Sequence, residues 1–274
     1  MSSRWVLLRG LTREQRHWGG FVRQLADGLP GARVTALDLP GNGRLNLQRS
    51  ASDVPTMVAQ ARATLQRDGL APPYRLLAMS LGAMVAIEWA TRHPVEIAAL
   101  VLINTSSGST QPFHRRLRPG AWLPLLATLL PGVPPACRER TILRLTSQRS
   151  VRAEAALLAW LACRRSHPVS RPNALRQLLA ALRFTAPPAA PPMPVLVLCG
   201  ASDRLVDPCC SRQLARDWKT SLAEHPAAGH DLVFDDAAWV LAQVQAWLTQ
   251  RGASPPRHQI ASDRSSPGHA APPS

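Results

Sequence analysis

Short apolar runs alternate with stretches of helical spacing along the first hundred residues. Trp5-Val6-Leu7-Leu8, Val34-Thr35-Ala36-Leu37, Tyr74-Arg75-Leu76-Leu77 and Leu100-Val101-Leu102-Ile103-Asn104 are apolar or nearly so. The first two end in Gly- or Pro-containing turns. Between the four runs lie helical patterns over 18–29, 57–65 and 82–90. Apolar runs of this length read as strands buried on both faces, and strands alternating with helices predict crossover units and a parallel sheet. After Asn104 the alternation stops. A polar stretch over 106–110 leads into four helix-like segments, roughly 121–130, 136–146, 151–164 and 174–182, with prolines around them and no strand pattern among them. A Pro/Ala-rich stretch, 186–194, returns the chain to a fifth apolar run, Val195-Leu196-Val197-Leu198. An edge strand near His225 follows, and Asp235 is the expected N-cap of a last helix over 237–248.

The expected architecture is therefore α/β: a mostly parallel sheet of about six strands flanked by helices, a usual strand count. A helical insertion sits between the fourth and fifth strands. Residues 1–106 and 186–250 are read as the core, 107–185 as a helical cap, and 251–274 as a disordered Pro/Ser/Gly-rich tail without periodicity.

One stretch carries chemistry. Ala78-Met79-Ser80-Leu81-Gly82 lies between the third apolar run and a helical pattern. A serine on a sharp strand-to-helix turn, with small residues two before and two after, is a nucleophile elbow pattern. The turn strains the serine backbone, and larger side chains at the flanks would strike the neighbouring strand and helix. Downstream, Gly200-Ala201-Ser202-Asp203 follows the fifth apolar run, and Ala228-Gly229-His230-Asp231-Leu232 precedes the last helix. Serine, then acid, then histidine is one of several chain orders in which this constellation occurs. With Arg9-Gly10-Leu11 closing the first strand and Asp38-Leu39-Pro40-Gly41-Asn42-Gly43 closing the second, the chain resembles the α/β-hydrolase superfamily from about Trp5 to about Gln250.

That resemblance implies Ser80 as nucleophile, His230 as general base and acid, and Asp203 as the group that orients the imidazole. It also implies an oxyanion hole from the backbone N–H groups of Leu11 and Leu81. Arg9 stands where the family usually has histidine, and Ala78 where it usually has glycine. Among competitors, Asp207 precedes a proline and reads as a helix cap. His225 ends an edge strand, and Asp231 reads as solvated or capping. Asp38 is expected to hold its turn; His17 reads as a surface histidine ahead of one lining the oxyanion loop, and Trp122 and Trp160 as packing between cap helices ahead of lining an acyl pocket. Met79 and Met84 read as core, with Met79 near enough to Ser80 to touch a substrate.

Composition narrows the reading. At 274 residues, 46% of them hydrophobic, the chain can bury a large core. No stretch approaches the roughly 20 apolar residues of a membrane span. The apolar run before Arg9 is too short for a signal peptide core, so a cytoplasmic protein is expected. Five cysteines without metal-ligand spacing fit reduced thiols there. No phosphate loop, dinucleotide fingerprint or metal cluster is visible, so no cofactor and no metal are expected.

The net charge is +15, with 32 basic and 17 acidic residues. It is concentrated: 107–184 holds 13 arginines against Glu139 and Glu154 alone. A serine hydrolase cleaving a small carboxylic ester through an acyl-enzyme is the leading reading. A thioesterase or ester hydrolase acting on a substrate linked to an acidic acyl carrier protein or to coenzyme A is the alternative, since the arginines would speed that encounter. A non-catalytic binding protein using the basic cap for an acidic partner is the rival class. No nucleic-acid module accompanies the charge, so no specific nucleic acid is expected.

Overall fold

A computed structural model of the chain describes residues 3–108, 111–149 and 153–253. The expected tail beyond 253 lies outside the described residues. Strands Ser3–Leu8 (β1), Ala32–Leu37 (β2), Tyr74–Met79 (β3), Ile97–Ile103 (β4), Val195–Gly200 (β5) and Ser221–His225 (β6) form one sheet in the order β2-β1-β3-β4-β5-β6. Every pairing is parallel.

The four central strands are mostly apolar because both faces are covered; Ser3, Arg4 and Arg75, nearer their starts, are only partly buried. Side chains alternate between faces. Val6, Leu8, Leu76, Ala78, Leu100, Leu102 and Val197 belong to one core, which α2 (Val54–Arg67), α3 (Leu81–Arg92) and α9 (Cys209–Asp217) complete. Trp5, Leu7, Leu77, Met79, Val101, Ile103, Leu196 and Leu198 belong to the other, beneath α1 (Phe21–Gly28) and α10 (Leu232–Ala253). The edge strands β2 and β6 are only partly buried.

Strand order reverses at β1: the chain moves outward to β2 and returns on the other side to β3. Such a switch point opens a crevice at the carboxyl ends of the strands. Arg9 and Ser80 follow those two ends directly.

Between β4 and β5 the chain is helical: α4 (Phe113–Arg116), α5 (Pro119–Leu129), α6 (Pro135–Thr146), α7 (Ala153–Ser166) and α8 (Arg171–Arg183). Prolines in the first turns of α5, α6 and α8 preset the helical φ without losing a hydrogen bond. The four-residue α4 was not visible as a helical pattern. Among the described residues no helix is long and apolar enough to cross a membrane.

Two expectations need correction. The first helix starts at Phe21, because Gln15–Trp18 forms a separate 3-10 turn ended by Gly19 at φ 54°. Asp235 does not cap the last helix. That helix kinks at Asp236, whose Oδ1 accepts from Trp239 N at 3.0 Å. Asp235 instead accepts from Gly229 N, from Ser147 Oγ and from Gln148 N.

Gly82 fixes how α3 meets the sheet. A Cβ there would stand 2.4 Å from Leu8 O and 2.6 Å from Arg9 O. Both atoms are backbone, so they cannot rotate away. Gly82→Ala is expected to cost about 3 kcal/mol, the upper range for overpacking. That corresponds to a fall in Tm of roughly 10 °C for a protein of this size, read by a thermal melt of the purified variant.

Candidate active site

Ser80 sits between β3 and α3 with φ 55° and ψ −120°, a region in which a non-glycine residue is strained. Its surroundings hold it there. Ser80 N donates to Ile103 O, extending the β3–β4 ladder by one residue, and Ser80 O accepts from Ala83 N and Met84 N, which begins α3. A Cβ on Gly10 would lie 3.1 Å from the Ser80 Cβ, so β1 and the turn approach closely. Ala78 is fully buried against Leu8 and Leu102, and the turn forms with alanine in place of glycine.

Asp203 follows β5 and is 1% exposed. Its Oδ1 accepts from Leu205 N at 2.8 Å and Val206 N at 2.9 Å, and its Oδ2 lies 2.7 Å from His230 Nδ1. Both carboxylate oxygens are therefore committed. Asp207 accepts from Cys209 N at the start of α9. His225 lies on the far side of its loop, accepting from Ala227 N and Ala228 N and packing edge-on to Trp239. Ser80 and His230 line one cavity.

The loop carrying His230 is pinned from several sides. Asn104, at φ 46°, donates through Nδ2 to Gly229 O at 3.1 Å and His230 O at 2.7 Å, and accepts from Gly200 N at 3.0 Å. One side chain thus ties the ends of β4 and β5 to the histidine loop. Nothing in the sequence marked Asn104 apart from its place after a strand. A Cβ on Gly200 would meet Ala228 O at 2.3 Å, so the loop also rests on bare backbone.

Leu11 and Leu81 flank Ser80, and both line the cavity. The first N–H groups of a helix have no partner within it, which leaves that of Leu81 available. Thr12, at φ 58°, donates its N–H to Gln177 Oε1 at 2.8 Å, anchoring the loop after β1 to α8. Asp38 accepts from Gln15 N and Arg44 N, bracing the same loop from β2.

Several sequence expectations fail in this neighbourhood, and one cause is shared: charges are buried in pairs. Arg9, expected as a loop substitution, and Asp231, expected to be solvated or capping, are 4% and 2% exposed and form a bidentate ion pair; Asp231 also accepts from Phe234 N in the first turn of α10, as a cap does. Arg13 bonds Glu139 at 2.7 Å, and Arg164 bonds the other oxygen at 2.6 Å. Burial works against the Glu139 carboxylate, but the two arginines outweigh it and hold its pKa below the ordinary value. His17 is not on the surface. Its ring packs against Trp160, and burial, then Arg13 and Arg9, push its pKa well below the usual imidazole range. Glu14, His17 and Cys163 each bring a ligand-type atom within 4.8 Å of the others. Arg13 bonds His17 Nε2 and Arg16 bonds Glu14 Oε1, while the buried Glu14 Oε2 accepts no hydrogen bond among the described residues. Burial, followed by the neighbouring Glu14, raises the Cys163 thiol to about 11.

The cavity holds about 160 Å³. Ser80 and His230 stand in its wall beside Met79, Met84, Leu125, Ile142, Leu178 and Val206. Leu125 comes from α5, Ile142 from α6 and Leu178 from α8, so the helical segment supplies much of the apolar surface. Neither tryptophan of that segment lines the cavity. Trp160 packs with His17, Arg13 and Phe234, whereas Trp122 is 40% exposed beside Phe113.

A family model described as "Serine aminopeptidase, S33" matches residues 4–237. A pimeloyl-[acyl-carrier protein] methyl ester esterase from Methylococcus capsulatus is 32% identical over 237 residues, 80% of this chain and 84% of that protein. A shorter match, 29% over 72 residues, joins 26% of the chain to 22% of the length of the Bacillus subtilis protein YbdG. Among solved structures, an esterase from Rhodococcus sp. ECU1013 superposes with a TM-score of 0.72 at 21% identity, covering 90% of each chain. At that identity the likeness concerns the fold.

Proposed function

The chain belongs to the α/β-hydrolase superfamily, in the family described as serine aminopeptidase S33, and from that premise we propose that it hydrolyses carboxylic esters through an acyl-enzyme on Ser80. The observation that carries this reading is the 2.7 Å contact between buried Asp203 and His230 Nδ1, with His230 lining a cavity that the strained Ser80 also lines. Held at Nδ1, the imidazole keeps Nε2 to take the proton from Ser80 Oγ as it attacks the acyl carbon. The tetrahedral oxyanion is met by Leu11 N–H and Leu81 N–H. His230 then protonates the departing alcohol oxygen as the ester C–O bond breaks. In the second half, His230 draws a proton from water, the hydroxide attacks the acyl carbon, and Ser80 leaves with its proton restored. Residues 107–185 act as the cap that shapes the acyl pocket over the core, 1–106 and 186–250.

Labelling with a fluorophosphonate probe tests this reading. Wild type should label and Ser80→Ala should not. A folded wild type that does not label would refute the assignment and favour a binding protein.

A second reading concerns the leaving side of the ester. The Methylococcus capsulatus relative is named for a substrate joined to an acyl carrier protein. Among the acidic residues of 107–184, Glu139 is buried and spent on two arginines, so the outer face there is strongly basic. An acidic carrier protein suits such a face, and a cytosolic setting suits five unpaired cysteines. Opposite charges mainly speed encounter and are screened by salt. Raising ionic strength from about 0.05 to 0.5 M should therefore lower kcat/KM for a carrier-linked ester about tenfold or more, while a small neutral ester changes little. Equal salt dependence would remove the carrier protein from the proposal.

A further inference from the structure

The Arg9–Asp231 pair joins the two parts of the site that must move least. Arg9 directly precedes Gly10 and Leu11, and Asp231 directly follows His230. Their fork is parallel: Nη2 to Oδ2 at 2.5 Å and Nη1 to Oδ1 at 3.1 Å. Each side chain is 3% exposed, and both residues border the cavity. The guanidinium also lies 4.8 Å from the Trp18 ring and contacts Met79 Sδ, one residue before Ser80. Asp231 is held further by its N–H to Thr146 O at 2.6 Å and by accepting from Phe234 N.

Stability alone is a poor reason for such a pair. Taking two charges out of water costs several kcal/mol per ion, and apolar replacements of similar volume are often neutral or stabilising. Burial alone would push the Asp231 carboxyl upward, but the Arg9 charge overrides it and keeps the group ionised. The cost is borne where a backbone donor and a base must face the same serine.

We infer that Arg9 and Asp231 are positioning residues for hydrolysis: their bidentate contact sets Leu11 N–H and His230 relative to Ser80 and balances the charge that His230 meets. The inference rests on the serine hydrolase reading. Asp203, from the loop after β5, bonds His230 directly, and the charged residues that line the cavity with it are Arg9 from the end of β1, Asp231 on its own loop, Arg13 from the loop after β1, and Arg116 from α4. Arg118, before α5, donates to the Asp203 carbonyl. Removing one partner of the pair leaves the other uncompensated beside the imidazole. Arg9→Met leaves a negative charge, which favours imidazolium. Asp231→Asn leaves a positive charge, which disfavours it.

The test compares wild type, Arg9→Met, Asp231→Asn and the double variant Arg9→Met/Asp231→Leu. Active sites are counted by fluorophosphonate labelling, and turnover of a small neutral ester is followed from pH 5 to 9. Per active site, kcat should fall about 10- to 100-fold in every variant, the scale of a misplacement near 1 Å, with KM little changed. The acid limb of the rate profile should move up by about one pH unit in Arg9→Met and down by about one in Asp231→Asn. The double variant should keep the wild-type limb at reduced kcat. Folded variants with wild-type kcat and unmoved limbs would overturn the inference, leaving the pair a structural contact. If the single variants do not fold, the double variant decides by its kcat alone, since it buries no unpaired charge. A wild type that does not label would overturn the serine reading and this role together.

Discussion

Ser80→Ala is expected to lower kcat for an activated ester by roughly 10⁶-fold, the scale seen when the nucleophile or base of such a constellation is removed. His230→Ala should cost about as much, and the double variant should be little worse than either. The nucleophile is worthless without its base, and the base has nothing else to activate. What survives should be the residual catalysis of the oxyanion hole and binding, about 10³- to 10⁴-fold over water. The same position permits a second check. Ser80 sits at φ 55° and ψ −120°, where alanine is as strained as serine and glycine is not. Ser80→Ala should therefore leave Tm near wild type, while Ser80→Gly should raise it by a few degrees and be equally inactive. That pairing separates strain kept for the hydroxyl from strain that is a by-product of the turn. A Ser80→Gly melting curve below wild type would show that the turn is not strained in solution.

The fold was legible because it rests on local rules. Apolar runs of four or five residues, broken by helical spacing, appear in the structure as β1 to β5, all paired in parallel. Gly82 could be read for the same reason: a sharp turn leaves no room for a Cβ. The structure pairs Asp203 with His230 and sets Ser80 and His230 in the wall of one cavity, and their chain order is what made each visible. Charge burial was not legible. Arg9, Glu139 and Asp231 look like surface residues because their partners are 222 positions away for Arg9–Asp231 and 126 for Arg13–Glu139. No window of sequence contains both members of either pair. Asn104 and Asp235 escaped for a related reason. Each satisfies backbone groups of the histidine loop, Asn104 from 125 positions away. Backbone partners carry no residue type for a sequence to reveal. His17 was misplaced because a histidine beside a tryptophan reads equally well inside or outside until α7 covers it.

The proposed acid, Asp203, gives the second large effect. Asp203→Asn is expected to lower kcat by about 10⁴-fold with almost no loss of Tm, because the substitution keeps shape and reverses hydrogen-bond polarity. An asparagine can turn its carbonyl oxygen toward Leu205 N and Val206 N, which donate to the present Oδ1 at 2.8 and 2.9 Å. Its amide NH₂ then faces His230 Nδ1, where Oδ2 now stands at 2.7 Å. A donor there forces Nδ1 to accept, so the proton moves to Nε2 and the imidazole cannot take one from Ser80. The alternative rotamer restores the tautomer but puts NH₂ against two backbone donors in a site 1% exposed, a buried conflict of several kcal/mol. The first arrangement loses activity and keeps stability, the second keeps the tautomer and loses stability, so a high Tm with low kcat identifies the tautomer as the cause. Asp207→Asn is the companion measurement. Asp207 accepts from Cys209 N at the start of α9, and asparagine offers the same acceptor, so the substitution should leave both Tm and kcat nearly unchanged. The reverse outcome, an active Asp203→Asn and an inactive Asp207→Asn, would transfer the acid role to Asp207 and require the loop between them to rearrange on binding substrate.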